Sequence, residues 1–290
     1  MRPVDPAACF VITMNAENRS SRSERGEQTV VLTARDRKIV YTVARFTLAS
    51  TRHLTALFFT KKNTANKRLR ALFNAGLLRA HLVLGSTSPT IYTLSPLGLK
   101  LLVGQMGVDR ALIRVPRTLD VADLHHRVAI VDVRVAFVLA TRETDDLRLV
   151  RFLVGGEVFG QMKNKGAQIV PDALILLSRA VRPEVYALEA DLGTEPLSVW
   201  RRKVETYGRM MFTDVALLGE RDWRVLVAAP GLGRLRSIAG VVIPNDRSDR
   251  FVFVDLGDIC PRIVVDQTWI TASALADVKA WSSLRRNANG

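Results

Sequence analysis

Cysteine is almost absent from this chain, which has 290 residues and only two cysteines, Cys9 and Cys260. A structural zinc site needs about four ligands, usually clustered cysteine and histidine residues, so two distant cysteines do not build one. A disulfide-rich secreted domain is also excluded, because such domains are dense in cysteine. We therefore expect both thiols to be reduced in a cytoplasmic protein.

Long apolar runs are missing as well. The richest one, residues 128–140, is interrupted by Asp132 and Arg134, whereas a helix that spans a bilayer needs about 20 apolar residues. The first residues lack the apolar core of an export signal, so export is not expected. With 48% hydrophobic residues, the chain has enough apolar side chains for two ordinary domains and no expected membrane partner.

Acidic residues are scarce in one part of the chain. The formal net charge is +14, from 42 Lys and Arg against 28 Asp and Glu. Residues 33–79 contain eleven of the basic residues and one acid, Asp36, whereas residues 123–290 contain 23 basic and 21 acidic residues. Because a binding surface concentrates charge of one sign, residues 33–79 are predicted to bind a polyanion, and double-stranded DNA is favoured over a membrane.

The basic region has the pattern of three helices. Thr33 and Asp36 match a capping box that precedes apolar residues at helical spacing, which predicts a first helix to about Phe46. Ser50 and Thr51 are the predicted capping residues of a short second helix. A third helix is predicted over residues 63–75 and is ended by a glycine.

Two extended runs follow these helices, at residues 80–84 and 90–94, on either side of a turn-rich loop. This pattern predicts a hairpin. Three helices and a hairpin are typical of a winged helix-turn-helix domain, and residues 97–106 add a further predicted helix.

The predicted third helix has two different faces. Ala65, Leu69 and Leu72 lie along one side, and polar and basic residues lie along the other. In a winged helix-turn-helix domain this helix can enter the major groove, where Asn and Arg read base edges and Lys and Arg hold phosphates. The alternative is a winged helix that contacts protein. The predicted DNA-contacting residues are Lys61, Lys62, Asn63, Thr64, Lys67, Arg68, Arg70 and Asn74.

From residue 122 onward the pattern is that of a mixed α/β domain, in which a long helix, three strands, another helix and further strands follow one another. The predicted helices are residues 123–142 and 196–212, and the predicted strands are residues 148–154, 168–177, 184–192, 223–229 and 250–256. The predicted organisation is a flexible tail (1–31), a winged-helix domain (32–106), a linker (107–121), an α/β domain (122–260) and a C-terminal extension (261–290).

Three carboxylates fall on neighbouring predicted strands of the α/β domain. Asp172 interrupts an apolar strand, and Glu189 and Asp191 share one face of the next strand because side chains alternate along it. Carboxylates this close repel one another unless they share a proton or a cation, an arrangement that holds Mg²⁺ for phosphodiester cleavage. Lys203 lies at the border of the apolar side of the following helix, from which its amine can reach these acids.

Six stretches carry a more specific pattern: residues 32–40, 67–78, 92–98, 171–173, 189–195 and 202–207. Together they resemble the replication-relaxation family of plasmid and mobile-element proteins, over residues 32–230. The resemblance implies a winged helix joined to a domain similar to the PD-(D/E)xK nuclease fold. Asp172 and Glu189 match the first two positions of the nuclease pattern. Asp191 stands at the lysine position, and Lys203 is the candidate substitute.

Three functions stay open at this point. The first is a double-stranded DNA-binding protein of a plasmid or mobile element in replication initiation, DNA relaxation or transfer, whose second domain positions another factor. The second is a Mg²⁺-dependent endonuclease in which Asp172, Glu189 and Asp191 hold the metal and Lys203 stabilises phosphate charge. The third is a repressor of its own operon. Mg²⁺ is expected as a cofactor only for an active nuclease, and the expected protein partners are replication or mobilisation proteins and a second copy in a homodimer.

Overall fold

The computed structural model describes residues 10–12, 30–81, 89–113, 115, 121–163 and 169–277. Its helices and sheets form a mixed α+β protein, which confirms the predicted fold class. The chain divides into two compact units, residues 1–131 and 132–290. Most of the predicted tail, residues 82–88 of the predicted hairpin, residues 116–120 of the predicted linker, Cys9 and residues 278–290 lie outside the described residues.

The first unit combines helices with short antiparallel strands. Its elements are β1 (Phe10–Ile12), β2 (Val30–Leu32), α1 (Ala34–Phe46), β3 (Ala49–Ser50), α2 (Thr51–Phe58), α3 (Lys62–Asn74), β4 (Leu78–His81), β5 (Ile91–Leu94) and α4 (Pro96–Lys100), which continues into a π-helical segment at Leu101–Gln105. The strands β3, β5 and β4 form one antiparallel sheet in that order, and β1 pairs separately with β2. The three predicted helices are confirmed, as are the two hairpin strands, of which β4 begins two residues earlier than predicted.

Local sequence explains where the first helices begin and end. The predicted capping box is present: Thr33 Oγ1 accepts a hydrogen bond from the Asp36 N–H at 3.2 Å, and the Asp36 carboxylate accepts one from the Thr33 N–H at 2.7 Å. Ser50 caps α2, and the ring of His53 accepts from the Ser50 N–H at 3.1 Å in return. Gly76 follows α3 with φ of +70°, a conformation that L side chains rarely adopt.

The short helix α4 packs closely on the segment that precedes β4. Ser95 caps it by accepting the Gly98 N–H at 2.9 Å. A Cβ atom at Gly98 would lie 2.3 Å from the carbonyl oxygen of Leu77, so only glycine fits this position without a shift of the backbone. The packing places α4 against the core of the first unit, to which Leu101 and Leu102 also belong.

The second unit is built on a six-stranded mixed sheet. Its elements are α5 (Val121–Ala140), which leads into it, then β6 (Leu147–Val154), α6 (Gly156–Lys163), β7 (Ala173–Arg179), β8 (Arg182–Ala190), α7 (Leu197–Phe212), β9 (Trp223–Ala229), α8 (Gly231–Val242), β10 (Phe251–Asp255), α9 (Pro261–Asp266), β11 (Ile270–Thr271) and α10 (Ala272–Ala276). The strand order is β6-β7-β8-β9-β10-β11. The strands β6, β7 and β8 are antiparallel to one another, β8, β9 and β10 are parallel, and β11 is antiparallel to β10.

The predicted order of helix, three strands, helix and strand is present, with three differences. The strand predicted from residue 168 begins only at Ala173, because Pro171 has no N–H to donate and Val170 is 46% exposed. The helices α6 and α8 were not predicted, since α6 is short and α8 has two glycines in its first turn. Residues beyond 260 also contribute to this unit, because Ala272 and Leu275 lie in its core.

Helices cover both faces of the sheet. Val185 and Ala187 of β8 pack in one core with α7 and α8. The intervening Tyr186 points to the other face, where its ring centroid lies 6.2 Å from that of Phe137 in α5. Side chains alternate along β8, so Glu189 lies on the same face as Ala187, which is the α7 side of the sheet.

No helix among the described residues has the combined length and apolar character of a membrane span.

Candidate functional site

The helix α3 presents a polar and basic face to solvent. Its apolar residues Ala65, Leu69 and Leu72 are completely buried, and the opposite side of the helix is exposed, which confirms the two faces that the sequence predicted. Seven of the eight residues predicted to contact DNA are exposed: Lys61, Lys62, Asn63, Thr64, Lys67, Arg70 and Asn74.

Arg68 is the exception, because its guanidinium faces the protein. Nε donates to Asp36 Oδ1 at 2.7 Å, Nη2 donates to the other carboxylate oxygen, and Nη2 also donates to the Val31 carbonyl at 2.8 Å. Burial acts to raise the pKa of Asp36, but the bonds from Arg68 and Thr33 outweigh it and lower this pKa. Arg68 therefore holds α3 to the start of α1.

This ion pair changes the surface charge of the basic region. Asp36 is the single acid of residues 33–79 and is fully buried. With Arg68 neutralised by it, the ten other Lys and Arg residues of the region have no exposed acid among them. Lys61, the N-cap residue of α3, makes no side-chain cap, so first-turn N–H groups add positive potential at that end of the helix.

A second cluster lies between β8 and α7 in the other unit. The Glu189 carboxylate is 2% exposed, and it accepts a hydrogen bond at each oxygen. Lys203 Nζ donates to Oε2 at 2.8 Å, and the Tyr207 hydroxyl donates to Oε1. The lysine amine thus reaches the acid between helix and sheet, as its position at the border of the apolar side predicted.

Asp172 and Glu195 complete this cluster. Asp172, just before β7, accepts the Ala190 N–H at 2.8 Å, and its charge contributes to the raised pKa of Glu189. Lys203 Nζ also forms an ion pair with Glu195 at 2.8 Å. The structure therefore brings Asp172, Glu189 and Lys203 together.

The electrostatics of the cluster differ for each group. Burial raises the pKa of Glu189 from 4.5 to about 7, with a smaller contribution in the same direction from Asp172 and an opposing one from Lys203. Burial lowers the pKa of Lys203, but Glu189 and Glu195 outweigh it and raise this pKa above its usual value. Burial, followed by the charge of Glu189, raises the pKa of Tyr207 well above its ordinary value. The pKa of Glu189 is thus raised towards neutral pH, whereas the raised pKa of Lys203 favours its charged form.

Asp191 has a separate set of partners. It lies on the same side of the sheet as Glu189, as predicted, but its carboxylate accepts from Trp200 Nε1 at 2.5 Å and from Arg234 Nε and Nη2 at 3.1 and 2.6 Å. Burial acts to raise the pKa of Asp191, and the bonds from Arg234, Trp200 and Gly193 outweigh it and lower this pKa. Among the described residues, no three Asp, Glu, His or Cys side chains group into a potential metal site.

Comparison with known proteins identifies the family. The model of the replication-relaxation family matches residues 41–217, more than half of the 290-residue chain. The chain belongs to the replication-relaxation family. Membership supports a role in the replication or relaxation of plasmid or mobile-element DNA. No curated protein and no solved structure matches the chain.

The family match contains most of both candidate sites of this replication-relaxation protein. The whole of α3 and the residues Asp172, Glu189, Asp191 and Lys203 lie inside the matched span, and Arg234 lies beyond it. The arginine that binds Asp191 thus comes from a part of the chain that the family model does not cover.

Sequence reasoning missed the parts played by Tyr207 and Arg234. Helical spacing places Tyr207 on the apolar side of its helix, where its ring is buried, but does not indicate that its hydroxyl donates to Glu189. Arg234 lies in the first turn of α8, a helix that was not predicted because two glycines precede this arginine. The position of Arg234 could have been predicted from the sheet. The strands β8 and β9 are parallel, so their carboxyl ends lie at the same edge, and the first residues of α8, which follow β9, lie near Asp191.

Proposed function

We propose that this replication-relaxation protein binds double-stranded DNA of a plasmid or mobile element, through a winged helix in which α3 contacts the duplex. Its second unit, with a nuclease-like fold, positions or recruits another factor. This function places the basic and the nearly neutral part of the chain in different roles.

The observation that carries the proposal is the outward face of α3. Asn63, Lys67, Arg70 and Asn74 are all exposed, and the one acid of the region is buried against Arg68. A face with two amides and two cations matches the two needs of duplex recognition, since amides and guanidinium groups read base edges and cations hold phosphates.

The order of elements supports the same proposal. Three residues, 59–61, separate α2 from α3, which is the short connection of a helix-turn-helix motif. The antiparallel strands β4 and β5 follow α3 directly, at the place of the wing. In this arrangement the second helix of the motif is the one that enters the major groove.

Duplex binding by the full chain tests the proposal. We expect Lys67→Ala combined with Arg70→Ala to weaken binding at least tenfold, and to reduce the slope of log affinity against log salt by about 2, because two phosphate contacts are lost. Fluorescence anisotropy over a range of salt concentrations gives both quantities.

A matched variant separates this effect from a general loss of charge. Arg221→Ala combined with Arg247→Ala also removes two positive charges, at exposed positions of the second unit. We expect this control to keep affinity within about twofold of wild type. If both double variants bind equally well, or if the wild-type chain does not bind duplex DNA, α3 is not a DNA-recognition helix.

A second function, Mg²⁺-dependent cleavage of DNA, is favoured by the convergence of Asp172, Glu189 and Lys203. Asp172 and Glu189 would hold the ion, since carboxylate oxygens suit Mg²⁺ and one or two of them are enough when water completes the shell. The ion would supply charge stabilisation, and Lys203 would turn from Glu189 to a phosphate oxygen. Asp191 is bound to Arg234, so its part in holding the ion stays a prediction from the sequence.

Two measurements test the second function. Mg²⁺ is expected to raise the melting temperature of the wild-type chain, and Asp172→Asn is expected to abolish this rise, because one of the two carboxylates is lost. Nicking of supercoiled plasmid with Mg²⁺ or Mn²⁺ should be lost in the same variant. Asp246→Asn, an exposed position elsewhere in the unit, is the control. An intact plasmid with wild-type protein refutes cleavage and leaves the DNA-binding function in place.

A further inference from the structure

The helix α7 has a basic face that neither function above uses. The side that faces the sheet, with Trp200, Val204 and Tyr207, is buried. The outward positions follow helical spacing. They carry three guanidinium groups and one carboxylate: the exposed residues of the helix are Ser198, Arg201, Arg202, Glu205, Arg209 and Phe212.

The three arginines of this face are exposed to solvent. No ion pair among the described residues involves Arg201 or Arg202. Arg209 makes a long hydrogen bond, 3.4 Å, to the hydroxyl of Thr206 on the same helix and stays exposed. An anion that approaches α7 from outside therefore meets three arginines before it meets any described part of the sheet.

The neighbouring helix α8 does not share the basic face of α7. The neighbouring helix α8 packs in the same core, and its outward residues Gly233, Ser237 and Gly240 are exposed and uncharged. Residues 123–290 are also nearly neutral as a whole, with 23 basic and 21 acidic residues. Three arginines against one acid on a single helix face is therefore a local concentration of positive charge.

The face also borders the acid cluster. Arg202 directly precedes Lys203, whose side chain is 19% exposed and bonds Glu189 and Glu195. Arg202 and Arg209 are seven residues apart, which is two turns and about 10 Å along one stripe of the helix. Because the charges of one DNA strand recur about every 3.4 Å along the helix axis, two arginines at this spacing can each reach a different phosphate of the same strand.

We infer that the outward face of α7, with Arg201, Arg202 and Arg209, binds the phosphate backbone of duplex DNA, so that the second unit makes a DNA contact of its own. The inference rests on the proposed function only for the identity of the polyanion. Planar guanidinium groups bind phosphate oxygens in pairs, and the exposed residues of α7 include none of the amide side chains that α3 presents. The inferred contact is with the backbone alone, and we therefore expect it to be independent of DNA sequence.

Two variants of the full chain test this contact, because one is expected to weaken duplex binding and the other to strengthen it. Arg202→Ala combined with Arg209→Ala is expected to weaken duplex binding about five- to tenfold and to lower the salt slope by about 2. Glu205→Gln removes the one acid of the face and is expected to strengthen binding about twofold. The matched controls are Arg221→Ala with Arg247→Ala, and Asp246→Asn, all at exposed positions of the same unit. Thermal unfolding confirms that each variant folds.

The outcomes separate this inference from the proposed function. If the α7 double variant behaves like its control while the α3 double variant loses binding, the α7 contact is refuted and the proposed function holds. If only the α7 variant loses binding, the α7 contact is supported and α3 is not the recognition helix. If binding survives in both, or if the wild-type chain binds no duplex, both are refuted. Equal losses on specific and on random duplexes support a sequence-independent contact, and a loss restricted to one sequence contradicts it.

Discussion

The guanidinium of Arg68 lies between α3 and the start of α1, where it bonds Asp36 and the Val31 carbonyl. Its neighbours Lys67 and Arg70 point to solvent from the same helix. Helical spacing separates a buried from an exposed side, but Arg68 is at the border of the two. Whether a border cation turns inward depends on an acid from another helix, which the sequence of α3 does not contain.

Removal of this guanidinium is expected to lower the stability of the folded chain. Arg68→Ala leaves the buried Asp36 carboxylate without its cation, and we expect a loss of about 2 kcal/mol in the free energy of unfolding, because Arg68 is partly exposed. Chemical denaturation followed by circular dichroism measures it. Lys67→Ala is the control and should change stability by less than about 0.5 kcal/mol. Equal midpoints for the two variants would contradict the structural role of Arg68.

The acid cluster was more accessible to prediction at the level of single residues. Asp172, Glu189 and Lys203 could be brought together from alternation along a strand and from helical spacing, and all three meet in the structure. Asp191 fits the same alternation, but its partner Arg234 starts a helix that the sequence did not predict. Periodicity places a residue on a face and does not say which cation reaches it.

At the scale of elements, helices with caps and apolar periodicity were predicted well. The capping box at Thr33 marks the start of α1, and Gly76 marks the end of α3, nearly as predicted, since both signals are local. The strand β7 and the helix α8 were predicted poorly. In β7 an apolar run continues ahead of the strand, and in α8 the packing against the sheet overrides two glycines that disfavour a helix.

The packing of α4 gives a test of one element. Gly98→Ala puts a Cβ against the backbone oxygen of Leu77, which a side-chain rotation does not relieve, so we expect a loss of about 2 kcal/mol in the free energy of unfolding. Gly104→Ala, in the adjoining π-helical segment, has no atom within 4 Å of the added Cβ and is the control. Thermal unfolding of the two variants by circular dichroism gives the comparison, and equal melting temperatures would show that α4 does not pack as described.

At the scale of the whole molecule, positive charge and tryptophan residues are both distributed unevenly along the chain. The first unit has the strongly basic region, and all four tryptophans, Trp200, Trp223, Trp269 and Trp281, come after residue 131 in the sequence. Tryptophan fluorescence therefore reports on the unit with the acid cluster, whereas circular dichroism reports on both. Composition alone predicted the division of charge, because it depends only on counts along the chain.

The position of the tryptophans allows a test of how the stability of the second unit depends on pH. Folding raises the pKa of Glu189 from 4.5 to about 7, so the folded state binds more protons than the unfolded state in this interval. Stability is therefore expected to fall as pH rises from about 5 to about 7, by up to about 3 kcal/mol. Urea unfolding followed by tryptophan fluorescence at several pH values measures the change.

Glu189→Gln is the matched control for this pH dependence, because it keeps the shape of the side chain and removes the titration. We expect its stability to be nearly independent of pH over the same interval. The lowered pKa of Asp191 has the opposite effect on stability and acts at lower pH. Its contribution to the free energy of unfolding is present above its ordinary pKa of 3.8 and is lost as pH falls below that value. A wild-type chain that gains stability between about pH 5 and about pH 7 would contradict the assignment of the raised pKa to Glu189.

The bond between Asp36 and Arg68 has a consequence for how this protein can change over evolution. The Asp36 carboxylate accepts from the Thr33 N–H at the start of α1 and from Arg68 of α3, so neither residue is free to vary alone. Loss of the acid leaves the Thr33 N–H and the Arg68 guanidinium without this acceptor, and loss of the arginine leaves a buried charge. Related sequences should therefore replace positions 36 and 68 together, whereas the exposed positions 67 and 70 can each change alone.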